Sequence, residues 1–133
     1  MGTRQECREA LAGLFSAGTF TGGVFDYLPV ALNGATKVLA VYNDNTRHEL
    51  LSASFANNFY RFNLDTLVRR AGATSEDDLD TLHENVRSVI RGAVGNANWN
   101  EITIEEDSET FFAEISGIQY RVEQHKVLIK VSN

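Results

Sequence analysis

The chain has few of the residues that hold small proteins together by cross-links. It contains one cysteine, Cys7, so no disulfide can form within the chain, which fits a reducing compartment. No apolar run approaches the roughly 20 residues of a membrane span, and the charged start MGTRQECREAL predicts no signal peptide. We therefore expect a soluble protein with no membrane contact. Its 133 residues predict one domain, residues 1–133, whose core needs no covalent or metal support.

The sequence also lacks the motifs that mark common catalytic and metal sites. Its histidines, His48, His83 and His125, are far apart and have no acid at a metal-site interval, so we predict no metal site. There is no G-x-S-x-G motif and no phosphate-binding loop. The acids of residues 105–109 lack the alternating ligands and central glycine of a calcium loop. We expect no catalytic residue, no cofactor and no enzyme activity.

Negative charge is concentrated in one part of the chain. The formal net charge is −6, and the segment from Glu76 to Glu109 carries ten acids against two arginines, a net charge of −8. This excess argues against tight binding of nucleic acid through its phosphates. A solvated acidic face explains it most simply, and a wall that repels a passing polyanion is the alternative.

The clearest element is an amphipathic helix over residues 75–94. Its apolar residues recur every three or four positions, the pattern of a helix with one buried stripe; they are Leu79, Leu82, Val86, Val89, Ile90 and Ala93. Ser75, followed by Asp78, predicts the N-cap, and Gly95 predicts the end. This helix is the natural cover for one face of a sheet.

The remaining segments predict one shorter helix and several strands. Residues 3–17 form the helix, with a Thr3–Glu6 capping box and a stop at Gly18. Strands are predicted over residues 24–28, 37–42, 55–68, 101–106, 111–115 and 118–131, with a polar turn at 43–47.

The alternation of apolar and polar residues predicts how the strands face. Residues 55–68 alternate with a period of two, which predicts a sheet wet on one face. The apolar residues change from even to odd positions across residues 123–126, which predicts a bulge or tight bend. The predicted fold is an α+β domain with a mixed or antiparallel sheet of four to six strands. An N-terminal helix and the long amphipathic helix pack on one face of that sheet.

Four phenylalanines fall in or beside predicted loops and edges: Phe20, Phe25, Phe111 and Phe112. They either fold under the loops as an extension of the core or contact a neighbouring subunit, because exposed apolar patches mark interfaces. We predict that these four residues lie at an interface between subunits of an oligomer.

The order of elements resembles the tail terminator (tail completion) proteins of long-tailed bacteriophages. The matching segments are TRQECREALAGLF, VFDYLP, KVLAVYND, FANNFYRFNLDTLV, SEDDLDTLHENVRSVI and GIQYRVEQHKVLIKV. The resemblance covers nearly the whole chain and rests on layout, length and a G-x-x-Y-R-V ending. It implies a structural virion protein of the tail and neck, assembled in the host cytoplasm, with no catalytic residues.

The same resemblance implies a partner set. A homo-hexameric ring would cap the tail tube protein and join the tail to the head-neck connector proteins, while DNA passes through without specific binding. Another ring protein of the phage neck or head-tail connector has a similar layout and stays an alternative. From a different class, a small dimeric α+β ligand-binding domain also fits, because fold alone does not choose a function.

Overall fold

The computed structural model describes residues 2–52 and 55–132. They form an α+β domain with two helices and a six-stranded mixed sheet, as predicted. In chain order the elements are α1 (Arg4–Gly13), β1 (Gly23–Phe25), β2 (Val38–Leu50), β3 (Ala56–Arg69), α2 (Ala73–Arg91), β4 (Glu101–Ile104), β5 (Glu109–Ile115) and β6 (Ile118–Ser132). The strand order is β1-β2-β3-β6, and both β4 and β5 pair with the other edge of β6. Among the strands of the described residues, the β1–β2 pair is parallel and the other pairs are antiparallel.

The main core lies between the sheet and its two helices. The predicted stripe of α2 is buried through Leu79, Leu82, Val86 and Ile90. It packs on alternate residues of β3 and β6, which include Phe62, Leu64, Val127 and Ile129. Helix α1 adds Cys7 and Leu11 to the same core, where the cysteine is a buried thiol. The prediction that both helices cover one face of the sheet is confirmed, because both stripes belong to one cluster of buried residues.

A second, smaller core lies on the opposite face, so the expectation of a sheet wet on one side is only partly correct. Its buried members are Leu32, Val38, Ala40, Leu67, Tyr120 and Val122. Phe25, Phe111, Ala113, Ile115 and Ile118 pack against them and are partly buried. Leu67 and Val122 are paired neighbours on β3 and β6, so this core covers the end of the sheet where β3 finishes and β6 begins.

The two cores explain the parity change in β6. Tyr120 and Val122 face the second core, whereas Val127 and Ile129 face the main core. The pairing of β6 with β3 runs without a register shift from Tyr120 to Ser132. The predicted bulge at residues 123–126 is therefore wrong. One regular strand buries opposite faces at its two ends.

The irregularity lies in β2 instead. Residues 43–47, predicted as a turn, continue β2, and the register against β3 shifts between Asn43 and Thr46. This part of the strand is mostly exposed, which is why its sequence is polar. Helix α1 contacts it through Arg8 Nη1, which donates to Asn43 Oδ1 at 3.0 Å.

The helix ends show where local signals succeed and fail. The Thr3–Glu6 capping box is present, but α1 ends at Gly13, before the predicted residue 17. Helix α2 begins at Ala73 after Gly72, whose φ of 60° suits glycine, and it ends at Arg91. The predicted cap Ser75 is buried inside the first turn, where its Oγ donates to the Gly72 carbonyl oxygen at 2.7 Å. Among the described residues, no helix has the length and apolar character needed to cross a membrane.

Candidate functional site

A groove with mainly apolar walls lies beside the second core. Its volume is about 520 Å³. Its apolar walls are Leu28, Pro29 and Val30 from the loop after β1, Leu67 and Val122 from the sheet, and Phe111, Ala113 and Ile115 from β5. We call this surface the groove. β5 pairs with the first half of β6, and its residues line the groove together with the loop between β1 and β2.

The floor of the groove carries three connected polar side chains. Tyr42 Oη donates to Asp65 Oδ2 at 2.7 Å, and Gln124 Nε2 donates to Asp65 Oδ1 at 2.9 Å. Burial raises the pKa of Asp65 despite these two hydrogen bonds and the positive charge of Lys126, which act in the opposite direction. Burial and the adjacent Asp65 also raise the pKa of Tyr42, which stays a neutral donor. The floor can therefore orient a polar group while the walls take an apolar one.

An exposed apolar tip stands at the other end of the sheet. Leu50 is the last residue of β2, and Leu51 and Phe55 lie beside the ends of β2 and β3; the three are 75%, 60% and 62% exposed. We call these three residues the tip. From Ala56, next to the tip, to Leu67, in the groove, β3 extends for eleven residues, or roughly 36 Å at 3.3 Å per residue. The tip and the groove of one chain are therefore too far apart to contact each other.

The four phenylalanines predicted at an interface occupy different environments. Phe20 is fully buried in the main core, with its ring 5.8 Å from that of Phe15, so it has no surface to offer a second subunit. Phe25 is partly buried against the second core, and Phe111 is a wall of the groove. Phe112 is 58% exposed. Sequence position alone did not separate them, because β5 sends Phe111 and Phe112 to opposite faces of the sheet.

The side chain of Phe112 lies between two cations. The guanidinium groups of Arg70 and Arg121 lie 4.9 and 4.5 Å from its ring centroid. Arg121 Nε also contacts Glu76 Oε1 at 2.6 Å, which joins this surface to the first turn of α2. Likewise, Glu105 pairs with Arg61 at 3.2 Å. Two acids of the acidic segment are therefore paired with arginines, and most of its other acids are exposed.

Three ionisable side chains meet between α2 and β6. His83 Nδ1 lies 2.9 Å from both His125 Nε2 and Glu123 Oε2. Ser108 Oγ donates to the same Glu123 oxygen at 2.6 Å. We call His83, Glu123 and His125 the histidine–glutamate cluster. His125 is fully buried, and burial together with His83 and Arg87 lowers its pKa to about 4, so it is neutral at pH 7.

This cluster was not predicted from the sequence. Glu123 and His125 are two residues apart in a strand, so they share a face, and that spacing was the available signal. His83 is 42 positions before His125, and only the packing of α2 on the sheet brings the two together. His48 is elsewhere, with its Nδ1 against Asn58 Oδ1.

The chain matches no protein-family model and no curated protein. The resemblance in layout to the phage tail terminators therefore stays a prediction.

Proposed function

We propose that this protein is a structural subunit that closes into a hexameric ring, and that it serves as the tail terminator of a long-tailed bacteriophage. The observation that carries the proposal is the presence of an apolar tip and an apolar groove at opposite ends of one sheet. If the projecting tip of one chain binds the groove of another, the contact joins two different surfaces and is head-to-tail. Such contacts form rings when the rotation between subunits closes.

In the proposed ring, the tip of one subunit occupies the groove of the next. Burying Leu50, Leu51 and Phe55 removes three large apolar side chains from water, each contributing roughly 1.5–3 kcal/mol when fully buried. Val30, which is 91% exposed at the rim of the groove, would be covered at the same contact. Exposed apolar surface of this kind is typical of binding surfaces.

The free edge of β2 is poorly suited to pairing with a strand of another chain. β1 pairs with β2 only at Val38, Leu39 and Ala40, and within residues 2–52 and 55–132 no other strand pairs with this edge. The bulge between Asn43 and Thr46 and the charged residues beyond it blunt this edge against indiscriminate strand pairing. Assembly would then depend on exposed apolar side chains, chiefly those of the tip and the groove and also that of Phe112.

The proposed partners follow from the ring. One face of the ring would rest on the last ring of the tail tube protein, and the other would meet the head-neck connector proteins. DNA would pass through the centre. The acidic excess between Glu76 and Glu109 suits a surface that repels the phosphates of DNA and does not bind them. In this proposal the protein acts by assembly and not by catalysis.

Site-directed cross-linking tests the ring directly. Leu51→Cys places a thiol at the tip and Ala113→Cys places one in the groove, while the natural Cys7 is buried and shielded. Under oxidation, the double variant should give a ladder of covalent oligomers up to six, and a mixture of the two single variants should give only dimers. Sedimentation over a concentration series measures the mass of the unmodified protein. Monomers at every concentration with no cross-link would refute the proposal.

A second candidate is a dimeric ligand-binding domain. The observation that favours it is the groove itself, whose volume lies within the range of small-molecule sites and whose floor presents Tyr42, Asp65 and Gln124. A stable dimer that stays dimeric after Leu51→Asp, with no tip-to-groove cross-link, would support this function. A mass of six chains that falls to one chain after Leu51→Asp would support the ring. Val94→Asp, at another exposed apolar residue, is the matched control and should leave the mass unchanged.

A further inference from the structure

The histidine–glutamate cluster places three metal-binding atoms around one point. One imidazole nitrogen each from His83 and His125 and one carboxylate oxygen from Glu123 lie within 4.8 Å of one another. Two of the three separations are 2.9 Å. The ligands come from two different elements, since His83 is on α2 and the other two are on β6.

Hydrogen bonding cannot satisfy all three atoms of the cluster. His83 Nδ1 has either one hydrogen or one lone pair, so it can make one good hydrogen bond. It nevertheless lies 2.9 Å from two polar atoms, His125 Nε2 and Glu123 Oε2. A cation, in contrast, accepts a lone pair from each of the three atoms at once.

In a tetrahedral site with bonds of 2.0–2.1 Å, neighbouring ligand atoms are about 3.3 Å apart. To hold an ion, the two 2.9 Å contacts would lengthen by roughly 0.4 Å, and the third separation, which is at most 4.8 Å, would reach the same distance. Ser108 Oγ already fixes the orientation of the Glu123 carboxylate from outside the cluster, the usual function of a residue behind a ligand.

The donor set selects the class of ion. Two imidazoles and one carboxylate suit zinc and its first-row neighbours, whereas calcium and magnesium require more oxygen ligands. The side chains of His83 and Glu123 are 27% and 12% exposed, so solvent reaches the cluster. A water molecule can therefore complete the coordination.

Two charged residues of α2, Glu84 and Arg87, lie beside the cluster. Glu84 Oε1 lies 4.0 Å from His83 Nε2 on the outer side and adds negative charge. Arg87, one turn along α2, directs its Nη1 to the main-chain oxygen of Glu105 at 3.3 Å. Together with the charge of Glu123 itself, the cluster presents net negative charge to an ion.

We propose that His83, Glu123 and His125 bind one divalent transition-metal ion of the zinc class, with water as the fourth ligand, and that the ion fastens α2 to β6. Because α2 covers the main core, an ion held only by the folded chain stabilises the whole domain. The ion therefore acts as a cross-link between α2 and β6. This inference does not depend on whether the protein forms a ring.

The test uses the full chain after treatment with a chelator. Titration with Zn²⁺ should show one ion per chain by calorimetry, and Co²⁺ should give the visible absorption of a four-coordinate site. At a free Zn²⁺ concentration of 100 times Kd, the Tm should rise by roughly 10 °C. His83→Gln removes a partly exposed ligand and should weaken binding by at least about tenfold, while His48→Gln, at an exposed histidine outside the cluster, should bind like the wild type.

Glu123→Gln provides a second variant if His83→Gln fails to fold, because the amide keeps an oxygen for the Ser108 hydroxyl and loses the charged ligand. Circular dichroism of each variant without metal checks its fold. Absence of saturable Zn²⁺ and Co²⁺ binding to the wild type would overturn the proposal. Equal binding by the wild type and a folded cluster variant would overturn it as well.

Discussion

Replacing Leu82 with alanine tests the packing of α2 on the sheet. Leu82 is 3% exposed and belongs to the main core, between Leu79 and Val86 on the buried stripe. The change removes three carbon atoms, at roughly 0.8 kcal/mol each, and leaves a cavity that adds to the loss. We expect the free energy of unfolding to fall by about 2–4 kcal/mol. For a chain of this length, that loss lowers the Tm by roughly 7–14 °C.

Urea denaturation followed by two signals measures the effect. Far-UV circular dichroism reports the helices, and the fluorescence of Trp99, the only tryptophan, reports the main core in which it is buried. Low protein concentration and a chelator remove any contribution from assembly or from metal. Leu50→Ala makes the same chemical change at a residue that is 75% exposed, and it should cost less than about 0.5 kcal/mol. A loss below about 0.5 kcal/mol for Leu82→Ala, or equal losses for both variants, would refute the packing described for α2.

Three further changes test other parts of the structure. Thr3→Ala removes the hydroxyl that accepts the Glu6 N–H at 3.2 Å and should cost about 1 kcal/mol in urea denaturation; no loss would mean that the capping box does not stabilise α1. Because burial raises the folded-state pKa of Asp65, its ionised form costs stability at neutral pH, and this cost disappears as the pH falls through the folded and then the unfolded pKa. As the pH falls from 7 to 4, the free energy of unfolding of the wild type should therefore rise relative to that of Asp65→Asn. A fall relative to Asp65→Asn would contradict the raised pKa of Asp65. Phe112→Ser should weaken assembly, measured by sedimentation, more than it lowers the free energy of unfolding, because Phe112 is 58% exposed. Equal losses of assembly and of folding stability would place Phe112 in the core.

The candidate sites were less predictable than the elements that carry them. Phe20, Phe25, Phe111 and Phe112 have the same side chain and similar sequence surroundings, yet their exposure ranges from none to more than half. Their environments depend on which segments fold over them, and those segments are distant in the chain. The groove is likewise built from the loop after β1, the centre of the sheet and β5. A surface assembled from three separate parts of the sequence cannot be predicted from any local pattern.

The features that depend on near neighbours could be predicted from the amino-acid sequence. The stripe of α2, the Thr3–Glu6 capping box and the long β3 all follow from residues one to four positions apart, because helices and strands repeat over that distance. The other features depend on contacts between distant parts of the chain. The tertiary structure placed a second core on the far face of the sheet, so that β6 buries opposite sides at its two ends without a bulge. It also brought His83 to His125 across 42 residues, because the packing of a helix on a sheet is set by the fit of whole surfaces and not by any short stretch of chain.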